Sequence, residues 1–504
     1  MSVVKPLGSP LDVGAQRQHS VAVDIVWILI SLTALVGVLI INGMPLFYFD
    51  SAGYLAHGNQ MFSVLGIFQP DPAAGGAAGS AATDDGTVIG SRSAVYALFL
   101  SYFAVIGLLW VASLIQAMLL LLIIHVCVRL VLRQIHSTAN AWKVTGMATL
   151  AGALGSAGFY TAFLMPDIFA PIMILAIAAL SAYVPVLKFW QIIVLLVLGG
   201  LAVVMHPSHL AIALAMVPAV WIATFAFGLR GWWKSGLLVL VIAGTGLAGR
   251  SAFVIAVESA TDSKVVDLPF FTARLISDGP GKHYLDRVCP QDGMATCDLN
   301  TLLVRPSQLS PDRILFASDP EFGSFALLDP AQKRAISGEQ RGFLIAVAKS
   351  DPLGVLWAVV RNTFYQLGLV SIDMTVPDRA MFDNATKIYA DFPPDLVNGR
   401  LVGGGGWVAT LTLAQQIYYG LSALVLLGLI VLPQSRLPRS LRAFGVLIIL
   451  GLLANAFVTG AISQPANRYG ARAIFLIPVV AVILTMARHR IQTGMDARTK
   501  GSSR

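Results

Sequence analysis

The sequence predicts an all-α polytopic membrane protein of about ten transmembrane helices with one extracytoplasmic insert. Hydrophobic residues make up 56% and charged residues 12% of the 504-residue chain, whereas globular domains carry about 25% charge. Several runs reach the roughly 20 apolar residues that cross a bilayer. The basic residues behind the net charge of +8 fall mainly in short loops and at span ends, as the positive-inside rule describes. We therefore expect a lipid bilayer, and no nucleic acid, as a partner.

The apolar runs divide the chain into five parts. We predict a cytoplasmic tail, an N-terminal transmembrane core of about seven spans, an extracytoplasmic domain, about three C-terminal spans and a second cytoplasmic tail, over residues 1–21, 22–257, 258–405, 406–490 and 491–504. The predicted spans are 22–43, 108–132, 144–164, 168–186, 189–205, 210–229, 235–257, 407–433, 443–463 and 471–487. Five basic clusters fall on one side of this topology, so both termini are expected in the cytoplasm of a bacterium, beneath its inner membrane. The first run lacks a signal-peptide cleavage pattern and is predicted to be an uncleaved anchor.

Two polar stretches need separate interpretation. The first outer loop, 44–107, is predicted to hold a helix around Asp50, a Gly- and Ala-rich tether over 70–86 and a re-entrant or interfacial helix before the second span. Segment 352–372 is as long as a span, but Arg361 in its middle favours an amphipathic helix on the membrane face of the outer domain. A crossing there would also place every later basic cluster outside.

The stretch FYFDSAGYLAHG, directly after the first apolar run, is the leading candidate for chemistry. Its acid, Asp50, is predicted to lie at the membrane–water boundary, where a lipid-borne substrate presents its polar head. Tyr54 and His57 follow at helical spacing, so a short helix would place all three side chains on one face. The alternative is that Asp50 caps that helix, because Asp is a favoured N-cap residue.

Further ionisable residues are predicted on the same outer face. Such groups at membrane depth are costly and suggest function; besides the residues above they are Arg92, Asp167, His206, His209, Arg250, Arg468, Tyr469 and Arg472. Asp167 follows a proline and could instead cap the fourth span. His206 and His209 flank a proline and could be ordinary interfacial residues. The motif H-P-S-H alone lacks the further ligands that a zinc site needs, so no metal site is predicted.

The motif QPANRYGAR is predicted at the outer start of the last span. Arg468 and Arg472 lie one turn apart there and violate the positive-inside rule, so topology does not explain them. An arginine pair at a helix N-terminus is suited to binding phosphate, because the guanidinium fork matches phosphate oxygens and the helix end adds N–H groups.

Two of the three cysteines lie close together in the predicted extracytoplasmic domain, 258–405, which we call the polar segment. Cys289 and Cys297 fit a structural disulfide in an oxidising compartment. Cys127 lies inside an apolar run and is not expected to pair with them.

This arrangement resembles the GT-C class of membrane glycosyltransferases, which use sugars linked to polyprenyl phosphate or pyrophosphate. The matching motifs are FYFDSAGY, SRSAVY, MPDIFA and NRYGAR, in the membrane core over roughly 20–260 and 405–490. Many members carry Pro-Pro where this chain has Ser93-Ala94, and many have an acidic pair where it has Asp50.

The resemblance implies a fold and a set of roles. It implies a GT-C-like core, a polyprenyl-phosphate sugar as donor, and Asp50 as general base or substrate anchor. Asp167 would be the second acid of the class, and the remaining outer-face residues would bind substrate. The acceptor, whether lipid, glycan or protein, stays open, as does a divalent metal cofactor, since only some members use one. Two rival functions also stay open: a transporter or flippase of lipid-linked sugars, and a non-catalytic protein that assembles an envelope polymer.

Overall fold

The chain is an all-α polytopic membrane protein. The computed structural model describes residues 10–64, 66, 87–90, 92–260, 264–291 and 293–502. Among these residues, eight helical segments are long and apolar enough to cross a membrane: Val21–Asn42, Leu109–Gln134, Pro166–Val186, Pro207–Ala226, Trp232–Ala260, Gly406–Val431, Arg439–Ile462 and Asn467–Thr493. The predicted tether over 70–86 lies outside the described residues.

The described residues before 261 form ten α-helices. They are α1 Pro10–Asn42, α2 Phe49–Val64, α3 Ala94–Val105, α4 Leu109–Gln134, α5 Ala141–Leu154, α6 Ala157–Ala162, α7 Phe169–Tyr183, α8 Phe189–Val204, α9 Pro207–Ala226 and α10 Trp232–Ala260. The span that contains α7 is 89% buried within the protein, whereas the span of α1 is 11% buried. The bundle is therefore built around α7, which is apolar on all sides as a central helix must be, whereas the Val21–Asn42 part of α1 lies at the periphery of the bundle.

Two of the ten predicted spans form shorter helices than the sequence suggested. Helix α8 has 16 residues, fewer than the roughly 20 that cross a bilayer at right angles. The predicted span 144–164 is broken between α5 and α6. A Cβ at Gly155 would lie 2.8 Å from the Tyr419 hydroxyl, and the Gly155 carbonyl accepts a hydrogen bond from the Gln415 side chain at 2.9 Å. Side chains of a neighbouring helix thus satisfy the backbone that the break releases.

The described residues of the polar segment form seven α-helices. They are α11 Phe270–Asp278, α12 Pro280–Val288, α13 Thr296–Leu302, α14 Pro311–Phe316, α15 Pro330–Ser350, α16 Pro352–Gly368 and α17 Arg379–Ile388. Two short strands, β1 Thr87–Ile89 and β2 Lys264–Val266, pair in parallel where this segment begins. Cys289 and Cys297 form a disulfide within it.

The polar segment has two packing partners. Its first part, from Leu268 to Val347, has its own hydrophobic core. Its last part packs instead on the membrane bundle, where Phe392 contacts Phe47 with a ring-centroid distance of 5.5 Å. The Asn42 side chain at the end of α1 also accepts a hydrogen bond from the Leu401 N–H at 2.8 Å.

Helix α16 carries its large apolar side chains on the surface. It meets α15 at an angle of 108°, and its exposed residues include Leu353, Trp357 and Phe364. An apolar stripe of this kind is typical of a helix that lies in the plane of a membrane interface. On its other side, the Gln366 side chain is buried against the start of the last span.

Four α-helices follow among the described residues from 406 to 502. They are α18 Gly406–Val431, α19 Arg439–Phe457, α20 Asn467–Ile474 and α21 Leu476–Ser502. A π-helical turn, Val458–Ile462, extends α19. The starts of α2, α7 and α20 lie together at one end of the bundle, which we call the Asp50 end because ion pairs join them there.

Candidate functional site

A continuous ionic network crosses the Asp50 end of the bundle. The Asp50 carboxylate pairs with Arg92 at 3.1 Å and with Arg468 at 3.3 Å. The Asp167 carboxylate lies 3.7 Å from Arg468 Nε and 3.3 Å from Arg472 Nη1. The order is therefore Arg92–Asp50–Arg468–Asp167–Arg472. Three cations against two anions leave this network with a formal charge of +1.

The start of α2 brings Asp50 to Arg92. Asp50 is the second residue of α2, and each of its carboxylate oxygens bonds to a guanidinium, so its main role is not to cap the helix. The Arg92 guanidinium crosses α2 directly over Gly53, where a Cβ would lie 2.6 Å from Arg92 Cζ. The next residue, Ser93, caps α3 and donates a hydrogen bond to the Val204 carbonyl at 2.6 Å. This bond fixes the backbone from which Arg92 extends.

Hydrogen bonds from two other helices fix the start of α20 and so position Arg468 and Arg472. The Tyr160 hydroxyl of α6 donates a hydrogen bond to the Arg468 carbonyl at 2.6 Å. The buried Gln366 amide of α16 donates to the Ala466 carbonyl at 3.0 Å and accepts from the Ala466 N–H at 2.8 Å. Helices α6 and α16 thus fix the N-terminus of α20.

The deep part of the network is fully enclosed. Arg472 is fully buried, and its guanidinium donates to Asn455 Oδ1 at 3.1 and 2.8 Å as well as to Asp167. Asp167 lies in the 3₁₀ turn before α7, where Met165 is the residue at the N-cap, so Asp167 does not cap that turn. Its Oδ2 has no hydrogen-bond partner among the described residues. The Asp167–Arg472 pair therefore joins α7 to α20 inside the protein.

Exposure falls steadily along the network. The side chains of Arg92 and Asp50 are 24% and 25% exposed, whereas those of Arg468 and Asp167 are 6% and 2% exposed. A ligand that approaches from solvent or from the membrane interface would thus meet Asp50 and Arg92 first. Arg468 would lie immediately behind them.

The charge state of Asp50 follows from its neighbours. Burial by itself would raise the pKa of the Asp50 carboxyl, but the Arg92 and Arg468 guanidiniums outweigh burial and lower it. Asp50 is therefore an anion at neutral pH and able to accept a proton, but both guanidiniums weaken it as a base.

Aromatic rings line the network around Arg468. The guanidinium carbon of Arg468 lies 4.9 Å from the ring centres of both Tyr48 and Tyr469. Arg472 lies 5.1 Å from the Tyr469 ring. Burial raises the pKa of Tyr48 to about 12, although the charge of Arg468 acts in the opposite direction, so Tyr48 is neutral. These contacts hold the guanidiniums by cation–π attraction.

Tyr54 and His57 share the predicted face of α2 but pack inward. The Tyr54 ring meets the Tyr96 ring edge-on at 5.0 Å, and both side chains are buried. His57 is also buried, and burial together with the Arg92 charge lowers its pKa to about 3. Tyr54 and His57 therefore pack α2 against the protein interior, and of the three residues predicted on this face only Asp50 is accessible.

His206, His209 and Arg250 have their hydrogen-bond partners outside the ionic network. His206 caps α9, with its Nδ1 accepting the Ser208 N–H at 3.1 Å. His209 is buried and donates from Nδ1 to the Ala202 carbonyl at 2.7 Å. Arg250 pairs with Asp267 and donates to the Gly90 carbonyl, so it supports the strand pair.

Sequence reasoning missed three residues of the site. Tyr48 is part of the motif FYFD but was not singled out as a contact of Arg468. Gly53 provides the space for Arg92, and Asn455 anchors Arg472. Asn455 is a lone amide in the apolar run GLLANAFVTG, and such a residue inside a span indicates a polar partner.

Within the described ranges, no group of three or more His, Cys, Asp or Glu side chains could hold a metal ion. Searches against protein-family models, curated proteins and solved structures gave no match to this chain.

Proposed function

We propose that this protein is a membrane glycosyltransferase with a GT-C-like core, which moves a sugar from a polyprenyl-phosphate donor to an acceptor hydroxyl. The reaction would take place on the outer face of a bacterial inner membrane, with both termini in the cytoplasm. The observation that carries the proposal is the position of Asp50: a partly exposed carboxylate flanked by Arg92 and Arg468 at the end of an apolar bundle. This is what transfer from a lipid phosphate needs, namely a proton acceptor beside cations that bind the leaving group.

The proposed step is a single displacement. Asp50 takes the proton of the acceptor hydroxyl while that oxygen attacks the anomeric carbon of the donor sugar. The bond between the anomeric carbon and the phosphate oxygen breaks, and its electron pair stays on the lipid phosphate. Arg92 and Arg468 stabilise the charge that develops on this phosphate. Asp50 then releases the proton to solvent.

The pairing of Asp50 with two arginines fits this step. In the absence of donor the guanidiniums hold Asp50 in place but weaken it as a base. A phosphate that binds between them competes for the same N–H groups, because guanidinium binds phosphate and carboxylate in the same bidentate way. Donor binding would therefore raise the basicity of Asp50 at the moment when a base is needed.

The first test is transfer of radiolabelled sugar from polyprenyl-phosphate donors in membranes that contain the wild type or Asp50→Asn. Asp395→Asn, which changes an exposed carboxylate of the polar segment, is the matched control. With equal accumulation of all three proteins, we expect Asp50→Asn to lower transfer by about 10²–10⁴-fold, the usual contribution of a general base, and the control to leave it unchanged.

The same membranes distinguish the rival functions. Equal transfer by the wild type and Asp50→Asn would contradict the proposed role of Asp50. Movement of the intact donor across sealed vesicles without any transfer would indicate a transporter. Absence of both activities in the wild type would favour a non-catalytic assembly protein.

A further inference from the structure

A second basic site lies at the other end of the bundle. A cavity of about 320 Å³ opens there between the end of α4, the start of α5 and the start of α8. Its lining includes Arg129, Arg133, Lys188, Trp190 and Gln191. Three of these side chains are cationic and none is acidic. The cavity shares no residue with the Asp50 network, and its role does not depend on the proposed transferase activity.

The three cations are directed into one place by the local structure. Arg129 and Arg133 lie one turn apart on α4, so they share a face of that helix. The buried Gln191 amide oxygen accepts the Lys188 N–H at 2.9 Å and an Arg133 N–H at 3.4 Å. Gln191 therefore links Lys188 of the α7–α8 connection to the end of α4.

The charge of this cavity is not balanced by its own lining. Like charges at this helical spacing repel one another. The nearby carboxylate Asp24 accepts a hydrogen bond from Asn140 at 2.6 Å and does not line the cavity. An anion bound among the three cations would remove this repulsion, and a phosphate with its several acceptor oxygens suits two guanidiniums and an ammonium.

The surroundings indicate where the anion comes from. Trp190, which lines the cavity, and Phe189, its neighbour in the chain, are both exposed, and exposed aromatic residues at span ends are typical of the membrane interface. Basic pockets between transmembrane helices bind the head groups of anionic lipids. We propose that the cavity formed around Arg129, Arg133 and Lys188 binds the phosphate of an anionic phospholipid in the adjoining leaflet.

The test is lipid retention by the purified full-length protein, measured by native mass spectrometry in detergent with added phosphatidylglycerol or phosphatidylcholine of the same acyl chains. We expect the wild type to retain phosphatidylglycerol selectively. The triple variant Arg129→Gln, Arg133→Gln, Lys188→Gln should bind it on the order of 100-fold more weakly, since each basic residue near the membrane surface contributes about fivefold. The double variant Arg129→Lys, Arg133→Lys keeps all three charges and should retain most of the binding.

The matched control removes three charges from the same end of the bundle but outside the cavity. It is Arg230→Gln, Lys234→Gln, Arg439→Gln. A Cβ at Gly231 would lie 3.3 Å from Val184 of the α7–α8 connection, and a Cβ at Gly228 would lie 3.6 Å from Arg439 Nη1, so these residues share that end of the bundle. This control should lower binding far less than the cavity variant. Equal losses would show a general attraction to basic surface and would overturn the proposal. Thermal stabilisation of the wild type by inorganic phosphate, without selective retention of phosphatidylglycerol, would show a site for a soluble anion and would overturn the lipid assignment.

Discussion

Arg472 is the residue of the ionic network whose removal should damage the fold most. Its guanidinium is fully buried, donates twice to Asn455 and lies 3.3 Å from Asp167. In Arg472→Met the 2% exposed Asp167 would keep only the more distant Arg468 Nε, at 3.7 Å, as a charged partner. Leaving a buried charge in this state typically costs about 3–5 kcal/mol. We therefore expect a loss of stability of that size.

The assay is the free energy of unfolding from SDS titration of purified protein in mixed micelles. The matched control is Arg92→Met, which removes a guanidinium from the same network where the side chain is a quarter exposed and should cost about 1 kcal/mol or less. The double variant Asp167→Asn, Arg472→Met removes both charges and should recover at least about 1.5 kcal/mol of the loss. Equal costs for the two arginines, or a double variant as unstable as the sum of its single changes, would refute this division of the network into a buried structural end and an exposed functional end.

The other predictions concern three residues that position the ionic network without belonging to it: Gly53, Gln366 and His57. Gly53→Ala should push the flexible Arg92 guanidinium off Asp50, because the new Cβ would lie 2.6 Å from Arg92 Cζ, and should raise the donor KM roughly tenfold with little loss of stability. Gln366→Leu should lower the free energy of unfolding by about 2–4 kcal/mol, because it leaves the N–H and C=O groups of Ala466 without their partner. His57 is neutral in the fold because burial and Arg92 lower its pKa to about 3, while the unfolded imidazole gains a proton below its ordinary pKa. Lowering the pH from 7 to 5 should therefore reduce the free energy of unfolding by about 2 kcal/mol, because His57 is protonated in the unfolded chain only. His57→Phe should remove that part of the pH dependence.

Matched variants separate these effects from general damage. Gly58→Ala places a Cβ 2.4 Å from the Ala97 carbonyl, so it should destabilise the fold, unlike Gly53→Ala. Gln340→Leu removes a glutamine that bonds a carbonyl of its own helix and should cost less than Gln366→Leu. His283→Gln changes an exposed histidine and should leave the pH dependence of stability intact. An unchanged pH dependence in His57→Phe, or a donor KM unaffected by Gly53→Ala, would contradict the respective argument.

The sequence predicted a common membrane side for the residues of the network but not which of them pair or how deeply each lies. Asp50, Asp167 and Arg468 come from stretches far apart in the chain, and the ion pairs that join them are seen only in the structure. Their order from exposed to buried depends on tertiary contacts such as the hydrogen bond from Tyr160 to the Arg468 carbonyl, over 308 residues. No local pattern encodes such a contact.

The differences in helix length have a similar origin. Hydropathy over 144–164 predicts one span because Gly155 and Ser156 do not interrupt an apolar window. A Gly–Ser pair is a known position for a helix kink, but the break is stabilised by Gln415 from a distant helix.

Arg250 is predicted on the same outer face as the site because it lies in the outer third of a predicted span. Its pairing with Asp267 depends on the strand pair, whose three-residue strands are too short to be recognised by alternation.

The central claim is that Asp50 acts as a base beside a phosphate site, and steady-state kinetics of purified enzyme in vesicles test it most directly. Asp50→Asn removes the proton acceptor but leaves Arg92 and Arg468 free to hold the donor phosphate. We expect kcat to fall by about 10²–10⁴-fold, while the donor KM stays the same or falls because a competing carboxylate has gone. An unchanged kcat, or a higher KM as the only effect, would contradict the account and leave Asp50 as a residue that only organises the arginines around it.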